Sequence, residues 1–122
     1  MSANDRTEIT QLITKYAEAY LRADVDALRD VFAPDAVMNG HVGDRLVEGT
    51  PEIFIQNVGR TPSIISLGQN PRYEIGDIQI TGRAAAVTVT QYNFGEFNFT
   101  DYIHLLKRDG HWQIISKTFS TF

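Results

Sequence analysis

Four strand-length runs follow one another from residue 73 to the end of this chain, each parted from the next by a glycine turn. Residues 73–80 close on Thr81-Gly82. Residues 84–93 follow, with Val87 and Val89 alternating with Thr88 and Thr90. A third run begins after Phe94-Gly95-Glu96, and residues 112–119 return to it through Arg108-Asp109-Gly110. Asp-Gly between apolar runs is a hairpin signal, because both turn residues tolerate positive φ. Short turns join antiparallel strands, whereas parallel neighbours need a long crossover. The back of the chain is thus constrained to an antiparallel meander.

The front reads differently. Ile9, Leu12, Ile13, Tyr16, Ala17, Tyr20 and Leu21 recur at three- and four-residue steps, the apolar stripe of a helix. Asn4 or Asp5 can cap it. Asp26 reads as the cap of a short second helix carrying Leu28, Val31 and Phe32, stopped by Pro34. Two short strands, residues 36–41 and 45–48, flank Gly43-Asp44. Thr50-Pro51 opens a third helix with Ile53, Phe54 and Val58 on its apolar side, ended by Gly59. Residues 60–72 read as a connection with room for a short strand at 63–67. Helices first and a meander after them make an α+β domain spanning residues 1–122. The helices must cover the concave face of a sheet curved by twist and bulges.

One residue on that face stands out. Alternation along residues 97–106 puts Phe97, Phe99, Asp101, Ile103 and Leu105 on one side. Four of the five are large and apolar, so this side is the buried one. A carboxylate there is costly unless it is paired or protonated. Asp101 therefore marks either a ligand site or a polar core network, with Lys117 on the neighbouring strand as one available partner.

Composition removes several functions. The net charge of −4, with basic residues scattered singly apart from Lys107-Arg108, offers no footprint for nucleic acid or an anionic membrane. No cysteine is present, which excludes disulfides, thiolate metal sites and cysteine nucleophiles. His41, His104 and His111 lack short ligand spacing, so neither a metal nor a cofactor is expected. There is no Gly-x-Ser-x-Gly elbow. The polar N-terminus and the lack of any long apolar run point to a soluble, cytoplasmic chain.

The segment KYAEAYLRADVDALRDVFAPDAVM, followed by a meander ending FNFTDYIHLLKRDGHWQIISKTF, resembles the nuclear transport factor 2-like superfamily, which includes SnoaL-like and ketosteroid-isomerase-like proteins. Within it the chain is most similar to the group labelled putative lumazine-binding. The resemblance spans nearly the whole chain. It implies a cone-shaped, strongly curved sheet wrapped around three helices, an internal pocket, and frequent dimerisation through the outer sheet face. It implies no single activity, since a fold hosts many. The isomerase branch places a tyrosine, a protonated aspartic acid and a carboxylate base around its ligand, and the handling of a neutral carboxylic acid as a donor is well understood there. By resemblance, Tyr16 and Asp101 take the first two places and Gly40 falls on the third. Glycine cannot accept a proton. A bulge at Gly40 would bring His41 into the pocket as a substitute base.

Three readings follow. The first is a small-molecule-binding domain with Tyr16, Tyr20, Phe32, Met38, Phe54, Phe99, Asp101 and Phe119 lining a pocket for an apolar or aromatic ligand bearing one polar group. The second is an enzyme of the isomerase, polyketide cyclase or dehydratase type, with Asp101 and Tyr16 as acid or oxyanion donors and His41 as base. The third is a protein-interaction module with a filled core. Here Tyr16 is an ordinary core tyrosine, Asp101 is paired to Lys117, and the outer face of Thr88, Thr90, Tyr92, Asn98, Thr100, Tyr102 and His104 makes a homodimer interface.

Overall fold

The computed structural model describes residues 3–122. Helix α1 (Ala3–Arg22) and α2 (Val25–Val31) lead into β1 (Phe32–Val42) and β2 (Arg45–Gly49). Helix α3 (Pro51–Arg60) and a 3-10 turn (Ile64–Leu67) precede β3 (Arg72–Thr81), β4 (Ala84–Phe94), β5 (Phe97–Arg108) and β6 (His111–Thr121). The strands form one sheet in the order β2-β1-β6-β5-β4-β3. Every pairing is antiparallel except β1 with β6, which is parallel and makes the sheet mixed. The α+β class and the meander are as the sequence implies. Irregularities interrupt the ladders of β1, β3, β4 and β6. Such extra residues bend a strand and tighten its twist, so the sheet curves while its two edges, β2 and β3, stay open.

The helices fill the curve. Ile9, Ile13, Tyr16 and Ala17 of α1 are fully buried, as are Leu28 and Val31 of α2. Each large aliphatic side chain removed from water stabilises the fold by roughly 1.5–3 kcal/mol. Two acids of α1 fasten it to the β5–β6 hairpin. Asp5 accepts the Trp112 indole N–H at 3.1 Å and pairs with Lys107 at 2.8 Å, while Glu8 accepts the Trp112 backbone N–H at 2.9 Å. On the outer face, Tyr102 and His104 of β5 are exposed. Among the described residues no helix is long and apolar enough to cross a membrane.

Local expectations shift in several places. Helix α1 already runs from Ala3, so Asn4 and Asp5 lie in its first turn rather than at its cap. Asp24, not Asp26, caps α2: its Oδ1 accepts the Ala27 N–H at 3.2 Å. Phe32 belongs to β1 rather than to the second helix, because the chain passes from helix to strand with no loop between. Pro34 sits inside β1, where pairing with β6 is interrupted between Phe32 and Val37, so its missing N–H costs no ladder bond. In α3, Ile55 rather than Ile53 is buried, and the helix runs through Gly59 to Arg60. Residues 64–67 form a 3-10 turn, not a strand. The cap assignment is checked by two substitutions. Asp24→Ala is expected to lower the urea midpoint by about 1 kcal/mol of stability at unchanged slope. Asp26→Ala should stay within about 0.5 kcal/mol of the parent.

Candidate functional site

The polar core is assembled by three adjacent strands. In β4, Ala85, Val87, Val89 and Gln91 point inward, so Gln91 continues a buried apolar column. In β5 the inward column is Phe99, Asp101, Ile103 and Leu105. Strand β6 begins with Trp112 and Ile114 inside. Its register with β5 then slips by one residue, from Leu105 opposite Ile114 to His104 opposite Ser116. Ile115 is the extra residue, and beyond it Lys117 and Phe119 face inward. Asp101 lies opposite Val89 on one side and Phe119 on the other. Gln91 and Lys117 are thus its diagonal neighbours, close enough for long side chains to converge on it.

Tyr16 closes this group from above. It occupies the buried face of α1, and its hydroxyl donates to Asp101 Oδ2 at 2.6 Å. Lys117 Nζ stands 3.8 Å from the same oxygen, with both side chains almost wholly buried. Burial pushes the Asp101 carboxyl above the ordinary carboxylate range, against the opposing pull of Lys117 and the Tyr16 bond. Burial likewise holds the Lys117 ammonium below the usual lysine value, although Asp101 pulls it back up. Both shifts favour a pair that holds one proton between its members over two separated charges. Tyr16 is held well above its usual value, chiefly by burial and then by Asp101, so it remains a donor.

Among the described residues, two buried side chains carry polar atoms without partners. Neither amide atom of Gln91 meets hydrogen-bond geometry with any described protein group, although the side chain lies near enough to Tyr16 to favour its ionised form slightly. Asp101 Oδ1 is likewise unpartnered. A buried polar atom left unpaired costs about 1–3 kcal/mol.

A cavity of about 350 Å³ opens onto two members of this group. Gln91 and Lys117 form its polar floor. Its walls are Tyr20, Met38, Phe54, Phe99 and Phe119, and exposed Arg45 stands at its rim with residues of α3. The rings crowd the lysine: Nζ lies 4.3 Å from the Phe54 centroid and 5.0 Å from those of Tyr16 and Phe119.

The residues singled out by sequence divide clearly. Tyr20, Met38, Phe54, Phe99 and Phe119 line the cavity. Tyr16 and Asp101 are brought together but lie outside the lining. Phe32 is buried in the main core, edge-on to Tyr16 at 6.0 Å. His41 is a correction: it is exposed on β1. No bulge occurs at Gly40, whose register with β6 runs unbroken from Val37 to His41. The ring of Phe119 occupies the space a side chain at Gly40 would need. Neither position supplies a base to the cavity. Sequence reasoning named Lys117 only as a partner for Asp101, where the structure places it, and left both Gln91 and Lys117 out of the cavity lining. The apolar column Ala85, Val87, Val89 was the available signal for Gln91, whereas Lys117 is masked by the extra residue in its strand.

Residues 4–120 match the family described as "Putative lumazine-binding". A solved nuclear transport factor 2-like protein of unknown function from Methylobacillus flagellatus is similar at 28% identity, covering 100% of this chain and 95% of that one, with a TM-score of 0.90. A ketosteroid isomerase-like protein from Erwinia carotovora atroseptica shares the fold, with a TM-score of 0.71 at 19% identity over 99% of this chain and 98% of its own. Among characterised proteins, a protein named Aldolase FrzH from Cladobotryum is 27% identical over 108 residues, 88% of this chain and 83% of that protein.

Proposed function

This chain belongs to the Putative lumazine-binding family of the nuclear transport factor 2-like superfamily, and on that premise we propose that it binds a compact, mostly apolar or aromatic molecule carrying a carbonyl or hydroxyl group. The observation that carries this reading is the floor of the cavity. Gln91 offers a free donor and a free acceptor beneath aromatic walls. A cavity of about 350 Å³ is at the small end of ligand pockets, which favours a ligand of one or two rings. A flat ring system with an amide or ketone edge satisfies Gln91 and stacks against the walls. The lumazine named in the family's description is of this kind.

A thermal-shift screen tests the assignment, using aromatic ketones, phenols and a lumazine against the parent and Gln91→Leu. A ligand that binds only the folded state raises its melting temperature. Loss of one buried hydrogen bond is expected to weaken binding about tenfold, shrinking the shift in Gln91→Leu. The assignment fails if no compound raises the parent's melting temperature, or if every hit raises both proteins equally.

A second reading, an enzyme acting on a carbonyl compound, is favoured by Lys117 and by the similarity to a protein named an aldolase. Steroid-type isomerisation is not the favoured chemistry, because Gly40 and His41 leave the cavity without a base at that place.

A further inference from the structure

We propose that Lys117 is a nucleophile that condenses with an aldehyde or ketone in the cavity, forming an iminium, with Asp101 and Tyr16 handling the protons; this rests on the cavity being a ligand site. A lysine normally keeps its ammonium in water by extending its stem along apolar surface. Lys117 does the opposite: it retains only 3% exposure and ends on the floor of an apolar cavity. Such a position withholds hydration from the ammonium and leaves the amine available for attack, as burial beside apolar walls commonly does for reactive lysines.

The geometry argues against a purely structural ion pair. Hydrogen-bonded ammonium–carboxylate pairs close to about 2.7–2.9 Å. Here the separation is 3.8 Å, and the short bond to Asp101 Oδ2 belongs to Tyr16 instead. The Asp101 carboxyl faces the amine through Oδ2, and its Oδ1 accepts no hydrogen bond from any described group. That carboxyl is placed to exchange a proton with a group formed on Nζ. The free amide of Gln91 is placed to orient the carbonyl oxygen. The surrounding rings add a further selection. Aromatic faces attract cations by about 0.5–2 kcal/mol, and an iminium depends less on water than an ammonium does, so the cage favours the product cation.

The Nζ lone pair attacks the carbonyl carbon while the C=O π bond breaks, and the oxygen takes a proton from the Asp101 carboxyl. The new nitrogen cation returns a proton to Asp101, giving a neutral carbinolamine. Asp101 then protonates the hydroxyl, the C–O bond breaks, and water leaves. The products are one iminium, one Asp101 carboxylate and one water, with no oxidant or reductant consumed. Tyr16 stays hydrogen-bonded to Asp101 throughout and stabilises the carboxylate as it forms.

Reductive trapping with 2-naphthaldehyde and borohydride at neutral pH tests this, read by intact mass and peptide mapping. The chain has three lysines, Lys15, Lys107 and Lys117. One naphthylmethyl group per chain is expected, at Lys117, with labelling roughly tenfold faster there than at the more exposed Lys15 and Lys107. Lys117→Arg should abolish the fast adduct. Equal labelling of all three lysines, or a fast adduct that survives Lys117→Arg, overturns the proposal. Parallel thermal shifts with 2-naphthol, which cannot form an imine, separate the two claims. Stabilisation by naphthol without trapping leaves the binding site standing and rejects the covalent step. Absence of both rejects the site, and the covalent step with it.

Discussion

Lys117→Met is expected to destabilise the fold by about 3 kcal/mol at neutral pH, and the double variant Lys117→Met/Asp101→Asn to recover most of that loss. Breaking a buried pair strands the remaining charge, whereas replacing both members leaves nothing to strand. Asparagine can still accept the Tyr16 hydroxyl that now bonds Asp101 Oδ2. The two single variants should also slope oppositely with pH. In Lys117→Met, burial keeps the Asp101 pKa above its unfolded value, and the lowering influence of Lys117 is gone. The folded state then holds a proton that the unfolded chain releases, so stability is full in acid below about pH 4 and declines as pH rises through the folded pKa. In Asp101→Asn the stranded group is Lys117, depressed by burial. The folded state binds fewer protons there, so its penalty is full below the folded pKa and fades as pH rises toward the ordinary lysine value of about 10.4. Urea denaturation across this range measures both slopes. Parallel slopes in the two singles, or a double variant no better than either, would show that the pair is not energetically coupled.

Gly40→Asp is the second large effect. It would restore a carboxylate at the place where the isomerase-like pattern has its base, yet it is expected to destabilise the fold rather than install an activity. A Cβ at Gly40 falls 2.6 Å from the Phe119 ring carbons and meets the Phe119 backbone carbonyl oxygen as well. The ring could swing away, but the carbonyl oxygen is held in the β1–β6 pairing. Overpacking of this kind costs about 3 kcal/mol, a melting temperature on the order of 10 °C lower. Gly40→Ala should lose nearly as much, because the clash begins at Cβ. If either variant melts with the parent, β1 and β6 pack less tightly than this geometry requires.

The sheet was readable from its turns and its alternation. Asp101 was placed correctly because three unbroken neighbours, Phe99, Ile103 and Leu105, share its parity. Gln91 obeys the same rule in β4 but was passed over, since a polar residue at the end of an apolar column looks like the column's end. Lys117 is harder. Counting by twos from Trp112 and Ile114 turns it outward, while counting back from Phe119 turns it inward, and only the extra residue at Ile115 reconciles the two. Period alone does not locate a bulge, because the bulge is set by pairing with β5. The meeting of Tyr16 with Asp101 joins residues far apart in sequence, which no local pattern encodes; the family resemblance alone suggested it. The expectation of a bulge at Gly40 misled at His41, because β1 runs in unbroken register there with Phe119 close against Gly40. Phe32 was misassigned for a local reason: apolar residues at a helix end and a strand start look alike when no turn separates them.

The surplus residue in β6 ties the amine and the Phe119 wall of the cavity to a single register. Loss of the Ile115 codon would leave Lys117 and Phe119 on the same side of a now regular strand, keeping the amine while relaxing the bend. Slippage that smoothed the strand without shortening it would turn Ser116 and Thr118 inward and remove the amine together with the Phe119 wall. A slip in register can therefore take the amine out of the cavity with no substitution at the lysine itself.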